Sequence, residues 1–222
     1  CEFSDTAAVR RRELNEFFGK ERRIEFLCPT PYVSNYLPAA YNKKVVSGLP
    51  PTLTAFDTYT YNTNSYKILL VGVNSGMSLK GYEECLRIMS IVEKLRETRS
   101  IKILTVGSAL NLVNEQNFES LNQVQLRDLY QSADLLLQPS KYETLSQVVL
   151  ESIYYNTPVV CWDNSGPSYL VETGKNGFKV PAFDEALFAH ETLAHLEFKR
   201  RNKDELMKYN SQLIQNIFSY KF

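Results

Sequence analysis

From residue 67 onward, short apolar runs alternate with stretches whose apolar residues recur every three or four positions. Lys67-Ile68-Leu69-Leu70-Val71-Gly72 and Ile101-Lys102-Ile103-Leu104-Thr105-Val106-Gly107 have the length and β-branched content of buried strands. So do the runs at 134–138 and 158–162. Residues 82–96 carry Leu86, Met89, Ile91, Val92 and Leu95 at helical spacing. Further helices are expected at 123–132, capped by Asn122, and at 145–155, 167–172, 184–198 and 203–219. Gly174-Lys175-Asn176-Gly177 reads as a turn into a strand at Phe178-Lys179-Val180. Strands that alternate with helices imply βαβ units and an α/β fold whose parallel sheet is covered on both faces.

The first 66 residues differ. A charged helix is expected at 7–18, a strand at 23–28 and a short helix at 31–41. The stretch 48–65 is rich in Pro, Thr and Tyr and reads as a linker. The expected organisation is therefore a distinct stretch with a linker over 1–66, and the regular domain over 67–222. The chain opens on Cys1 rather than Met and enters a charged helical pattern at once, as a piece of a longer protein would.

With 25 basic and 25 acidic residues in 222, the composition gives no electrostatic case for nucleic acid as a partner. No apolar run approaches the roughly 18 residues of a membrane span, and the opening CEFSDTAAVRRREL is too polar for a leader peptide. Cys1, Cys28, Cys85 and Cys161 lack metal-ligand or disulfide spacing; Cys85 and Cys161 read as buried thiols, which points to a reducing, cytoplasmic setting. The run Lys199-Arg200-Arg201 reads as a solvated helix end, with a peripheral membrane contact left open. His190 and His195 have no metal partner at useful spacing and read as structural.

The candidate chemistry lies where strands end. Glu143 follows the run at 134–138, and Glu151 sits eight positions later inside an expected helix. Ligands of open parallel sheets bind beyond the carboxyl ends of the strands, against helix N-termini. Glu143 can accept hydrogen bonds from sugar hydroxyls or stabilise positive charge, or it can serve as an acid at a helix N-terminus. Thr144, Leu145 and Ser146 can offer backbone N–H groups to a diphosphate. Glu151 lies among Val148, Val149, Leu150 and Ile153 and needs a partner there: a ribose diol or a Lys or Arg. Lys80-Gly81 closes a loop that begins at Gly72 and suits a phosphate cradle, or a surface lysine beside a turn glycine. Asp163-Asn164-Ser165-Gly166-Pro167 is a polar loop at the same sheet edge, or a plain turn.

Together, the Lys80-Gly81 loop, LRDLYQSAD at 126–134, PSKYETLSQVVLES at 139–152, TPVVCWDNSG at 157–166 and GKNGFKV at 174–180 resemble the donor-binding half of family 4 retaining glycosyltransferases. The resemblance covers about 67–181, and its specific part is the block with two spaced glutamates. It implies a Rossmann-like sheet, the C-terminal half of a GT-B fold. By that resemblance Lys80 and Gly81 contact the donor diphosphate and Glu143 lies by the transferred sugar as the catalytic carboxylate. Thr144, Leu145 and Ser146 border the phosphates, Glu151 holds the ribose hydroxyls, and Ser165 and Gly166 line the sugar end. The implied reaction moves a sugar from a nucleotide sugar to a glycan or lipid-linked acceptor with retention, with no metal and no cofactor besides the donor substrate. The chain looks most like enzymes that build bacterial surface polysaccharides.

Two departures from the family pattern stand out. Many relatives carry an arginine soon after the strand glycine; here Val73 follows Gly72 and the loop before Lys80 is longer. Residues 1–66 resemble only the last part of an acceptor domain, so the fragment is expected to be inactive alone. A non-catalytic nucleotide-sugar-binding or chaperone module of the same fold is the alternative; a sugar-nucleotide epimerase would need acid/base groups that the sequence does not reveal.

Overall fold

The computed structural model describes residues 65–218 and the backbone of two short strands, β1 (Glu25–Cys28) and β2 (Asn42–Val45). The chain falls into two compact units, Cys1–Gly48 and Leu49–Phe222. In the first, β1 and β2 pair in parallel; β1 answers to the strand expected at 23–28, and β2 has no counterpart in the sequence pattern. The helices expected at 7–18 and 31–41, and the linker apart from Ser65, lie outside the described residues.

The second unit runs β3 (Tyr66–Val73), a 3-10 turn (Ser78–Lys80), α1 (Tyr82–Leu95), β4 (Ile101–Gly107), β5 (Glu115–Phe118), α2 (Gln123–Ser132) and β6 (Leu135–Gln138). It continues with α3 (Gln147–Tyr154), β7 (Val159–Trp162), α4 (Gly166–Leu170), β8 (Gly177–Val180), α5 (Glu185–Ala194), α6 (Phe198–Arg201) and α7 (Lys203–Phe218). A six-stranded parallel sheet forms in the order β5-β4-β3-β6-β7-β8. Successive strand residues point to opposite faces. Ile68, Leu70, Leu135 and Leu137 pack on one side with Ile88, Met89 and Phe188 of α1 and α5. Leu69, Leu136, Val159 and Cys161 pack on the other with Val149, Leu150 and Ile153 of α3. Burial on both faces is why these strands read as continuous apolar runs.

The strand order has one reversal. From β3 the chain moves outward to β4 and β5, then returns to β6 on the opposite side of β3. Pairing across that junction is short, with Ile68 opposite Leu135 and Leu69 opposite Leu136, whereas β3 stays with β4 to Val73 and Gly107. A bulge between Val71 and Val73, where Gly72 takes φ +74, bends β3 near its end. The carboxyl ends of β3 and β6 therefore splay, and a crevice opens at the switch point.

Several expectations change. β5, with sequence EQNF, lacks an apolar signature and forms an edge strand by pairing with β4. Its Glu115 accepts hydrogen bonds from Thr105 Oγ1 at 2.6 Å and from the N–H groups of Leu110 and Leu112 at 2.9 Å. Burial alone would raise the Glu115 carboxyl; those donors outweigh it and hold the group below its ordinary range. The helix expected at 184–198 stops at Ala194 and resumes at Phe198; His195 lies between, stacked on Phe178 and bonded to Glu191. Asn122 caps α2 as expected, in a capping box with Gln125. Cys85 and Cys161 are buried free thiols, and burial pushes each up to about 12.

The Lys199-Arg200-Arg201 run is not the solvated helix end expected of it. Lys199 is buried, and its ammonium donates to the carbonyls of Gln131 at 2.9 Å and Ala133 at 2.8 Å and to Thr157 Oγ1 at 3.0 Å. It thereby satisfies carbonyls at the end of α2 that have no partner within the helix. Arg200 forms a two-pronged pair with buried Asp134, at 2.6 and 2.9 Å, and also donates to Ser65 O. Only convergence of separate elements reveals these acceptors, so the charge run could not show them. Replacing Lys199 with Met leaves those carbonyls without the ammonium; urea denaturation should show a loss of roughly 2–4 kcal/mol. A loss below about 0.5 kcal/mol would show that the contacts contribute nothing net.

Candidate functional site

Three loops meet at the switch point. The one after β3 ends in the 3-10 turn and Gly81, the one after β6 spans 139–146, and the one after β7 spans 163–165. Gly81 takes φ +74, and a Cβ there would lie 2.1 Å from the Pro139 carbonyl oxygen. A Cβ on Gly166 would lie 2.1 Å from the Thr144 carbonyl oxygen. Both glycines are needed because backbone passes directly against backbone. Hydrogen bonds complete the contact: Lys141 N–H donates to Leu79 O at 2.9 Å and Gly166 N–H to Glu143 O at 2.8 Å. Asn164 Nδ2 donates to Lys141 O at 2.7 Å, and Trp162 Nε1 to Pro139 O at 3.0 Å.

This scaffold brings Lys80 and Glu143 together across the crevice. Lys80 Nζ lies 2.9 Å from Glu143 Oε1, with the lysine side chain 37 % exposed and the glutamate 12 %. Gln138 Nε2 donates to the same oxygen at 3.1 Å and to Ser140 Oγ at 2.9 Å. Lys80 lies beside the turn glycine Gly81 and is paired with Glu143, which precedes the Ser146 cap of α3 by three residues. A small cleft beside Lys80 is lined by Gly72, Gln138, Pro139 and Ser140.

The site has residues that motif reading passed over. Gln138 is a polar end to the apolar strand LLLQ, a signal that it faces the crevice. Lys141 pairs with Glu84 of α1 at 3.1 Å, and Glu84 pairs with Arg87 at 2.8 Å; this ties the Glu143 loop to α1. Buried Glu84 is polar within an otherwise amphipathic helix face, and no sequence signal predicts its partner.

Ser146 caps α3 with φ +74, a left-handed conformation that few non-glycine residues adopt. Its hydroxyl accepts from Val149 N–H at 3.4 Å. The other first-turn N–H groups have no acceptor within the helix. Leu145 is buried in the core. Ser165 is buried, and its hydroxyl has no hydrogen-bond partner among the described residues. The loop at 163–167 is thus engaged with the Glu143 loop and is more than a turn.

Glu151 has a different partner from the Lys80–Glu143 pair. Its Oε2 accepts from the Tyr130 hydroxyl at 2.8 Å, a partner that is neither Lys nor Arg. Burial raises the Glu151 carboxyl, and the Tyr130 hydrogen bond opposes that rise. Among the described residues no cluster of three or more His, Cys, Asp or Glu could hold a metal ion, and no helix is long and apolar enough to cross a membrane.

A parallel sheet in this order, with polar loops gathered at its reversal, defines a Rossmann-like α/β domain. A sequence model described as Glycosyl transferases group 1 matches residues 65–197, and the chain belongs to that family. No curated protein matches it in sequence. Among solved structures, pneumococcal O-GlcNAc transferase GtfA in complex with UDP and GlcNAc is 13 % identical with a TM-score of 0.59, covering 87 % of this chain and 42 % of that one. A mutant of S. aureus TarM in complex with Fondaparinux, alpha-GlcNAc-glycerol and UDP is 15 % identical with a TM-score of 0.64, covering 87 % and 40 %. The GtfA/B complex gives 13 %, a TM-score of 0.63, and coverage of 92 % and 44 %. At such identities the likeness shows the fold, which is the Rossmann-like fold of GT-B glycosyltransferases. The chain spans about two fifths of the length of these proteins.

The geometry separates scaffold from site in a way that denaturation can measure. Gly81→Ala should cost about 2–4 kcal/mol, because the methyl group strikes a main-chain carbonyl and φ is unfavourable. Glu143→Gln should change stability by less than about 1 kcal/mol, since a partly exposed ion pair contributes little. The reverse ranking would mean that the ion pair, and not the backbone contact, holds the loops.

Proposed function

We propose that this chain is the donor-binding half of a family 4 retaining glycosyltransferase, with residues 67–222 as the nucleotide-sugar domain and 1–66 as a remnant of the acceptor domain. The observation that carries the reading is the Lys80–Glu143 pair at the switch point, with Glu143 in the loop that leads into the Ser146 cap of α3. A diphosphate there would receive charge compensation from Lys80 and hydrogen bonds from first-turn N–H groups around Ser146. Lys80 would exchange the carboxylate for phosphate, freeing Glu143 to face the transferred sugar and stabilise its developing positive charge. Ser165 and Gly166 would line the sugar end of the same space, and Glu151 would bind the ribose diol.

The acceptor would be a glycan or lipid-linked hydroxyl in surface-polysaccharide assembly, met on the cytoplasmic side. UDP is the first nucleotide to try, because the GtfA and TarM complexes contain it. A non-catalytic binding module has one observation in its favour: Val73 occupies the place of the family's second phosphate clamp and is buried at the end of β3.

Calorimetry of this chain with UDP, GDP and ADP should show millimolar or tighter binding of at least one, and a transfer assay should show no turnover. No binding of any of the three at millimolar concentration would contradict the donor assignment. In the whole protein, Glu143→Ala should lower transfer at least about a hundredfold, a size typical of losing a transition-state stabiliser. Activity equal to wild type would leave the non-catalytic module as the reading.

A further inference from the structure

Glu151 is held by a residue that belongs to none of the site loops. Tyr130 lies on α2, its side chain is 0 % exposed, and its hydroxyl reaches Glu151 Oε2 at 2.8 Å. Both ends of this tyrosine are fixed. Its ring stacks on Tyr155 with centroids 5.7 Å apart, and its carbonyl accepts from Thr157 Oγ1 and from the buried Lys199 ammonium. Thr157 is bonded in turn to Ser152, through Ser152 Oγ to Thr157 O at 2.7 Å and Thr157 N–H to Ser152 O at 2.8 Å. Ser152 follows Glu151 on α3, so the contacts form a closed circuit that returns to the helix bearing the carboxylate.

For stability alone, an apolar pair would serve at this place as well as a phenol and a carboxylate. The circuit instead fixes one oxygen of a half-buried carboxylate, while Oε1 has no hydrogen-bond partner among the described residues. We propose that Tyr130 is a positioning residue: its hydroxyl occupies Glu151 Oε2 and so keeps Oε1 as the acceptor for a vicinal diol, the group that a ribose presents. This rests on the assignment of Glu151 to the ribose. The chemistry of the pair agrees with it. Burial and the Glu151 charge push the Tyr130 phenol well above its ordinary value, so it remains a donor. Burial raises Glu151, and the donated hydrogen bond counters that rise and favours the ionised acceptor. Tyr155 packs on this pair, with Tyr154, Arg127 and Asp128 beyond it; Lys199 meets Tyr130 at its carbonyl end.

The test measures binding of UDP, GDP and ADP and of their 2′,3′-dideoxy counterparts to the wild type, Tyr130→Phe, Glu151→Gln and the double variant. Wild type should prefer the ribose form. Tyr130→Phe should bind it about tenfold more weakly, the size of a hydrogen bond to a charged group. It should bind the dideoxy form unchanged, which also reports an intact fold. Adding Tyr130→Phe to Glu151→Gln should cost nothing further. The loss of ribonucleotide binding toward acid pH should begin at higher pH in Tyr130→Phe, because Glu151 then lacks the donor that opposes its rise. Equal weakening of both forms, or an unchanged ribose preference in Tyr130→Phe, overturns the role of Tyr130 and leaves the donor site standing. No ribose preference in the wild type overturns the role of Glu151, and no binding of any nucleotide overturns the donor site with it.

Discussion

Gly81 lies against the Pro139 carbonyl and Gly166 against the Thr144 carbonyl, and a Cβ at either place would overlap an oxygen. These two approaches bring the loops after β3, β6 and β7 into one backbone layer over the reversal in strand order. The Lys80–Glu143 ion pair is a consequence of that layer and not its cause. With its desolvation offsetting much of its attraction, a single partly buried pair contributes too little to position three loops. Because the scaffold does not depend on it, the pair can be opened by a ligand without loosening the fold.

Charges elsewhere in the domain do the opposite work. Lys199, Arg200, Asp134 and Glu115 are satisfied by several partners each, and they fasten the end of α2, the start of β6 and the turn between β4 and β5. The basic run that suggests a solvated or membrane-facing patch is therefore largely structural. The Lys80–Glu143 pair at the switch point instead joins the loops after β3 and β6.

The sheet was legible because strands covered on both faces need unbroken apolar runs, so LLLQ, VVCW and KILLVG announce themselves. β5 was not, since its Glu115 and Asn117 are held there by side-chain hydrogen bonds to the neighbouring strand and turn. Glu143, Glu151 and Lys80 could be picked out by their position after strands and by the family motif. Their partners could not: Gln138, on Glu143, and Tyr130, on Glu151, come from β6 and α2, and only the folded arrangement brings them within reach. The strand order, which places Lys80 and Glu143 on the two sides of the crevice, is also a tertiary fact that no local pattern encodes.

The most direct measurement is a crystal structure of the chain soaked with UDP. The diphosphate should lie between Lys80 and the N-terminus of α3, with Lys80 turned from Glu143 to phosphate. The ribose hydroxyls should sit on Glu151 Oε1, with Tyr130 still on Oε2. A nucleotide bound away from the β3–β6 crevice, or a ribose that does not touch Glu151, would contradict this arrangement.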